Sequence, residues 1–424
     1  MKKLLNLILK TNNILSEDKK EFRKLKNNDD IKKLFLSIES FSEKSELRYV
    51  GGCVRKILNK EKIDDIDLAT NISPKEICEA LDNSNIKYYK TGFEHGTITA
   101  RINNRNFEIT SLRKDIQTDG RRAVVEFTEN WEEDSKRRDF TINSIYSDIN
   151  GNLFDPTNGK EDLLNGKVKF IGNAEERIKE DFLRILRYVR FFLVYSKSNH
   201  DENVKKSIKK NISGIKNLSN ERLLNELIKI IKTKKFLDLL NDKFLTEMIL
   251  LIFPQLNNIF KYKKSSMEIL EFLHSKDEIF VLSLMIISDS DDANFFMYKY
   301  NLQNEHKKRI LFLNNAYKTI NEKISYSENN LWKIYYQHGK ELLIDYIDFK
   351  ICNSKKIDKK LIQLKENIIS KEKPTFPIKA RDLIEKYNIK EGKELGSKLK
   401  QIEKKWVENS FKVSVKEIEK IMSI

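Results

Sequence analysis

Nowhere among the 424 residues is there a run of about 18 apolar residues, the length that a bilayer-crossing helix needs, so no membrane span is expected. Cysteine is scarce: Cys53, Cys78 and Cys352 are too few and too far apart for a disulfide scaffold or paired zinc ligands. They read as small buried hydrophobes in a reducing compartment. Only 13 glycines and 5 prolines punctuate the chain, which disfavours turn-rich β architectures and favours helices. None of the five histidines sits in an H-E-x-x-H pattern. Acidic residues are in deficit, 64 against 80 Lys and Arg, and the net charge of +16 points to a polyanionic partner, nucleic acid before a membrane surface. At 39% hydrophobic the chain is too apolar for wholesale disorder, and its length predicts two to four domains. The apolar run in Met1 to Lys10 is short and broken by Asn6, so it reads as an amphipathic helix rather than a secretory signal, and a cytoplasmic location is expected.

Strand patterns concentrate between residues 47 and 128: Leu47 to Val50, Ile66 to Ala69, Ile86 to Tyr89, Thr97 to Ile102, Asn106 to Thr110 and Ala123 to Phe127. Ser73-Pro74-Lys75-Glu76 is a capping box that starts a helix running to about Leu81. After Gly159 the periods become helical and stay so, which gives an α+β chain: a mixed-sheet head followed by an all-α remainder. Boundaries are expected near Asn150-Gly151, near residue 245 and after Cys352. Residues 353–405 carry 16 Lys and Arg against 8 Asp and Glu, so half the excess charge lies in a basic tail, either a solvated helical face or an RNA-backbone contact.

Two short segments carry the sharpest chemistry. Gly51-Gly52, between an apolar strand and a helix, is either a tight turn or a place where backbone approaches phosphate closely. In Asp65-Ile66-Asp67, strand alternation would put both carboxylates on one face, about 6 to 7 Å apart, with Asp64 facing away. That spacing suits a shared pair of Mg²⁺ ions flanking an in-line displacement. Phe107-Glu108-Ile109 alternates so that Glu108 can add a third carboxylate from a neighbouring strand.

With these segments in place, the sequence resembles the class II tRNA nucleotidyltransferases, the CCA-adding enzymes, with bacterial poly(A) polymerases as close relatives. The resemblance rests on Gly51-Gly52-x-Val54-Arg55, Asp65-x-Asp67-Leu-Ala-Thr70, His95-Gly96-Thr97, Phe107-Glu108-Ile-Thr110, Thr118-Asp119-Gly120-Arg121-Arg122, Arg137-Arg138-Asp139-Phe-Thr-Ile-Asn143 and Glu180-Asp181-x-x-Arg184-x-x-Arg187, in order. It is strong over residues 45–232 and thin beyond, apart from a stretch near Pro377 to Phe411. One position departs from the family: Lys56 stands where an Asp usually follows the Val-Arg pair, which puts the hydrogen bonding around the glycine turn in question.

The resemblance implies a polymerase-β-like nucleotidyltransferase head over 1–148, a helical neck over 149–245, a helical body over 246–352 and a tRNA-binding tail over 353–424. It implies addition of CCA to the acceptor arm of tRNA from CTP and ATP, using two Mg²⁺ ions and no nucleic-acid template, with Asp65 and Asp67 as metal ligands and Glu108 beside them. A-adding enzymes, poly(A) polymerases and, in a different class, an RNA-binding protein with a dead head share parts of this pattern. No membrane and no obligate protein partner is implied. Arg138 and Arg113 are candidate triphosphate contacts, with Gly51, Gly52 and Arg55 lining the same site; Asp139, with Asn143 four residues on, is assigned to the ribose. Asp181 and Arg184 read as one acceptor and one donor on a single helix spanning Ile178 to Phe192, with Arg187 either bracing Arg184 or touching phosphate. Cytosine and adenine each offer an amino group beside a ring-nitrogen acceptor, so that pair fits both bases and misfits U and G. The polar segment Lys114 to Arg122 matches the loop that in the family switches the pocket from C to A, and it is intact. Ser219-Asn220-Glu221-Arg222 reads as a helix start with a structural role. In the tail, Leu395, Leu399, Ile402 and Trp406 recur at core spacing, while Lys398, Lys400, Lys404 and Lys405 face water or RNA.

Overall fold

The computed structural model describes residues 19–119 and 122–423. The helix expected over Met1 to Lys10 and the hairpin tip Gly120-Arg121 therefore lie outside the described residues. The chain divides into two compact units, one ending at Lys235 and one beginning at Phe236.

The first unit runs α1 (Asp29–Glu39), β1 (Leu47–Val50), α2 (Gly52–Leu58), β2 (Asp67–Thr70), α3 (Pro74–Asn83), β3 (Lys87–Gly92), β4 (Thr97–Ile102), β5 (Arg105–Ser111), β6 (Arg113–Asp119), β7 (Arg122–Phe127), α4 (Trp131–Arg137), β8 (Tyr146–Ser147), β9 (Leu153–Phe154), α5 (Gly159–Leu164), α6 (Ala174–Glu180), α7 (Leu183–Tyr195), α8 (Glu202–Asn211) and α9 (Asn220–Ile231). Seven strands form one mixed sheet in the order β3-β4-β5-β2-β1-β8-β9. Only β2 and β5 are parallel, and that pairing sets Asp67 opposite Glu108. Tyr49 of β1 is fully buried, with Phe22 and Phe35 rings 5.8 and 5.0 Å away, so apolar alternation pins the sheet to α1. The capping box forms as expected: Ser73 Oγ accepts from the Glu76 amide, Glu76 accepts from the Ser73 amide, and α3 buries Ile77, Cys78, Ala80 and Leu81.

Three expectations shift. Most of the polar segment Lys114 to Arg122 is strand rather than loop, since β6 and β7 pair as an antiparallel hairpin outside the main sheet. The expected head boundary at 148 falls inside the sheet, because β9 follows it and pairs with β8. The unit break lies at 235, about ten residues before the position expected from composition.

In the second unit the described elements are helices and turns. Asp348, 1% exposed, accepts from Lys276 (2.7 Å) and Lys365 (2.8 Å), tying Glu328–Cys352 to Lys359–Ile369; a buried charge persists only with such partners. Leu395, Leu399 and Ile402 pack with Leu383, and the Trp406 ring meets Tyr336, Phe376 and Phe411 edge-on, so this stripe is core as its spacing predicts. Lys404 and Lys405 are exposed. Lys398 is not: its ammonium donates to the carbonyls of Ile421 (3.4 Å) and Met422 (2.7 Å), closing the end of the last helix instead of facing RNA. Cys53, Cys78 and Cys352 are buried free thiols. No helix among the described residues is long and apolar enough to cross a membrane.

Candidate active site

A cleft of about 1660 Å³ opens in the first unit between the Gly51-Gly52 turn, the start of β2, the base of β6 and the helices α6, α7 and α9. Among the described residues sixteen Lys and Arg line it against eight Asp and Glu, so its wall is cationic and suited to a polyphosphate.

At the floor, Gly51 adopts φ +66°, ψ −121°, a conformation open to glycine and strained for residues with a Cβ, and caps α2. A Cβ built on Gly52 would lie 3.9 Å from the Asp67 carboxylate, so the glycine pair brings backbone directly beside the acidic centre. Asp67 opens β2; Asp65 precedes the strand in a segment without regular structure, so strand alternation does not set its orientation as expected. The two carboxylates still interact. Burial raises the Asp67 pKa, Arg138 opposes that, and the charge of Asp65 raises it further. Burial, then Asp67 and Asp65, likewise raise Glu108, whose exposed side chain shares the face of Asp67 across the parallel pairing. Among the described residues no three acidic, His or Cys side chains close into a metal cage. Mg²⁺ rarely has one: it takes one or two carboxylates and completes its shell with water and substrate phosphate. Carboxylates that repel one another beneath a cationic wall are a donor set that a divalent cation relieves, so these residues fit such an ion.

The Arg-Arg-Asp segment sits at the end of α4, not at the start of a helix, with Arg138 as its C-cap and Asn143 in a short 3₁₀ turn. Its hub is Asp134, a residue that sequence reasoning missed although it lies three and four positions before the arginines. Asp134 is fully buried; it accepts from Arg137 (2.8 Å), Arg138 (3.0 Å), Tyr146 (2.7 Å) and the Arg113 amide (3.2 Å). Burial works against its charge, but Arg138 and Arg137 outweigh that and hold its carboxyl well below the usual range. Asp139 accepts from Asn143 (2.9 Å) and from Arg187 (2.6 Å); burial opposes its charge, Arg187 and Asn143 prevail, and its pKa falls to about 2. Arg187 thus braces Asp139 rather than Arg184. Arg55 donates to Asn143 and lies over the rings of Phe191 (4.6 Å) and Tyr195 (5.1 Å). Arg113 donates to the His95 carbonyl, while its Nε and Asp115 Oδ1 are buried without a hydrogen bond at the mouth of the hairpin. Replacing Asp134 with Ala strands two guanidinium groups and should lower stability by about 3 to 5 kcal/mol, read by thermal melting. The linked acid effect follows from Asp139. Its depressed pKa contributes stability that is present above about pH 4 and lost as pH falls towards about 2, so Asp139→Asn should flatten the melting temperature across that window.

Asp181 and Arg184 do not share a continuous helix. α6 ends at Glu180, Asp181 is extended (φ −153°, ψ 105°), and α7 begins at Leu183. The break turns both side chains into the cleft. Asp181 accepts from Arg222 (2.7 Å) and the Leu183 amide (3.1 Å); Arg184 donates to Glu180 (2.6 Å), Arg177 O (2.9 Å) and Arg137 O (3.3 Å). Ser219 caps α9 as expected, but Arg222 does more than start a helix, since it holds Asp181 from 41 positions away. No local pattern could reveal that contact. Lys56, which stands where the family usually has Asp, pairs with Asp64 (2.7 Å).

A mixed sheet with paired carboxylates on adjacent parallel strands, a glycine turn beside them and a cationic cleft above define a nucleotidyltransferase head. Residues 47–169 match the family model described as the poly A polymerase head domain, residues 200–260 the "Probable RNA and SrmB- binding site of polymerase A", and residues 271–421 tRNA nucleotidyltransferase domain 2. The chain is 35% identical over 386 residues to the mitochondrial CCA tRNA nucleotidyltransferase 1 of Mus musculus, covering 89% of this chain and 86% of that protein. Its fold is that of the CCA-adding enzyme of Bacillus stearothermophilus solved with CTP (TM-score 0.70, 22% identity, 89% and 91% of the chains). It is also that of the Thermotoga maritima CCA-adding enzyme complexed with tRNA (TM-score 0.61, 20% identity, 95% and 98%). The chain belongs to the class II tRNA nucleotidyltransferase and poly(A) polymerase family.

Proposed function

We propose that this protein adds C, C and A to the 3′ end of tRNA, consuming CTP and ATP and releasing pyrophosphate. The RNA 3′-oxygen attacks the α-phosphorus, the α–β phosphoanhydride bond breaks, and the hydroxyl proton passes to solvent or a nearby carboxylate. Asp65 and Asp67 would hold a divalent cation such as Mg²⁺ together with the triphosphate, and Glu108 would add negative charge beside them. Such ions would supply a lowered pKa at the attacking hydroxyl and charge neutralisation at the leaving pyrophosphate. The cationic wall, Arg113 and Arg138 included, orients the phosphates; Asp139 and Asn143 take the ribose; Asp181 and Arg184 read the base edge, with Arg187 supporting Asp139. Gly51 and Gly52 admit the phosphates, and Arg55 braces Asn143. The helices up to Lys235 act as a neck, those from Phe236 to 352 as a body and the remainder as a tail whose Lys404 and Lys405 contact RNA backbone. The observation that carries this reading is the register of Asp67 with Glu108 beneath a cleft that also presents Asp181 and Arg184.

The test is incorporation with purified protein, Mg²⁺ and tRNAs ending before, within or one nucleotide short of CCA, given CTP and ATP separately and together, with 3′ ends sequenced. Stopping at CCA from every start is expected. Growth of A alone on CC-ended tRNA would make this an A-adding enzyme, and long A tails a poly(A) polymerase.

A further inference from the structure

Residues 61–66, between α2 and β2, form no helix or strand, yet they carry Asp65. Besides a hydrogen bond from the Asn59 side chain to Glu61, three tethers hold the segment that includes them. The Glu61 amide donates to the Lys56 carbonyl (2.8 Å), Tyr195 donates its hydroxyl to Glu61 (3.2 Å), and the Lys56 ammonium donates to Asp64 (2.7 Å). The third acts on the residue next to Asp65, and Lys56, Asp64, Asp65 and Asp67 all line the cleft. Asp64 keeps 63% of its side chain in solvent and Lys56 25%, and exposed pairs of this kind add little to stability. What the pair fixes instead is where the backbone of Asp64, and hence of Asp65, lies relative to α2, the helix that starts at the glycine turn.

We propose that Lys56 is a positioning residue: by holding Asp64 it sets the segment carrying Asp65, and so governs how well Asp65 and Asp67 accept a divalent cation together with a nucleoside triphosphate. The inference rests on the metal-ligand reading above and departs from direct phosphate binding by Lys56. A side chain one residue away from a ligand acts as outer-shell support does elsewhere, through the geometry of the ligand it orients.

The variants are Lys56→Met, Asp64→Asn, Lys56→Arg and the reversed pair Lys56→Asp with Asp64→Lys. The readouts are Mn²⁺ binding by electron paramagnetic resonance with a non-hydrolysable CTP analogue, the half-saturating Mg²⁺ for incorporation, and the KM for CTP at saturating Mg²⁺. Circular dichroism melting checks the fold. Lys56→Met and Asp64→Asn are each expected to weaken Mn²⁺ binding and raise half-saturating Mg²⁺ by about 10-fold. KM for CTP should return to the wild-type value at saturating cation. Lys56→Arg and the reversed pair should recover most of the loss, because the interaction rather than either residue is what matters. A raised KM for CTP with Mn²⁺ binding unchanged would overturn the proposal in favour of a phosphate contact; no change in any readout would overturn it in favour of a plain surface pair. Asp67→Asn is the control for the underlying reading: if it too keeps full Mn²⁺ binding, the metal-ligand assignment falls before the Lys56 proposal is reached.

Discussion

Asp67→Asn should reduce nucleotide incorporation by at least about 10³-fold, a loss of roughly 4 kcal/mol of transition-state stabilisation, while tRNA binding stays within about twofold. Asp67 is the carboxylate against which Gly52 packs, it opens the strand that pairs in parallel with β5, and its charge is held against that of Asp65. Asn keeps the size of the side chain and removes the charge, so the change isolates cation binding from packing. Electrophoretic mobility shift with tRNA and a single-turnover assay separate the two effects. Parallel loss of binding would refute the metal-ligand role, because RNA affinity on this reading comes from the cationic wall and the tail. Apo-protein stability should rise slightly in the variant, since a half-buried charge whose pKa is raised favours the fold in its protonated form.

Asp181→Ala should cost selectivity more than rate. With the acceptor gone, UTP and GTP no longer face a carboxylate that their N-H and carbonyl pattern cannot satisfy as C and A do, and discrimination of about 10 to 100-fold per misfit, roughly 1 to 3 kcal/mol, should collapse. The measurement is the ratio of kcat/KM for CTP to that for UTP on tRNA lacking CCA; an unchanged ratio would refute the template role. Arg222→Ala should move the ratio in the same direction by a smaller factor, because it removes the partner that fixes Asp181 and leaves the carboxylate itself in place.

Local pattern was enough for β1 to β5 and β7 of the head, the capping box at Ser73 and the tail core, because each depends on spacing within one element, but not for β6 or the two-residue strands β8 and β9. It was also enough to nominate the acidic centre, since Asp67 and Glu108 sit at defined phases of adjacent strands. It failed where a contact joins distant positions or where a helix breaks. The unbroken apolar period from Ile178 to Phe192 predicts one continuous helix through Asp181, and nothing in that period announces the extended residue between α6 and α7. Lys398 looked solvent-facing on its own helix; its carbonyl partners belong to another. Asp134 was visible in principle, three and four residues from two arginines, but not its contact with Tyr146, which reaches it from β8 and meets the Trp131 ring edge-on.

The cationic wall of the cleft has one more consequence. On the proposed reading, the cationic wall that holds the β- and γ-phosphates of the substrate also attracts them once they leave as pyrophosphate, so the product departs against the attraction that drew the nucleotide in. On the proposed reaction, microscopic reversibility makes pyrophosphate retained beside a newly made phosphodiester the attacking group of the reverse step, which would return the added nucleotide as its triphosphate. The direction of travel along the tRNA end is then set by how quickly pyrophosphate is removed from the surroundings, a property of the solution rather than of the protein.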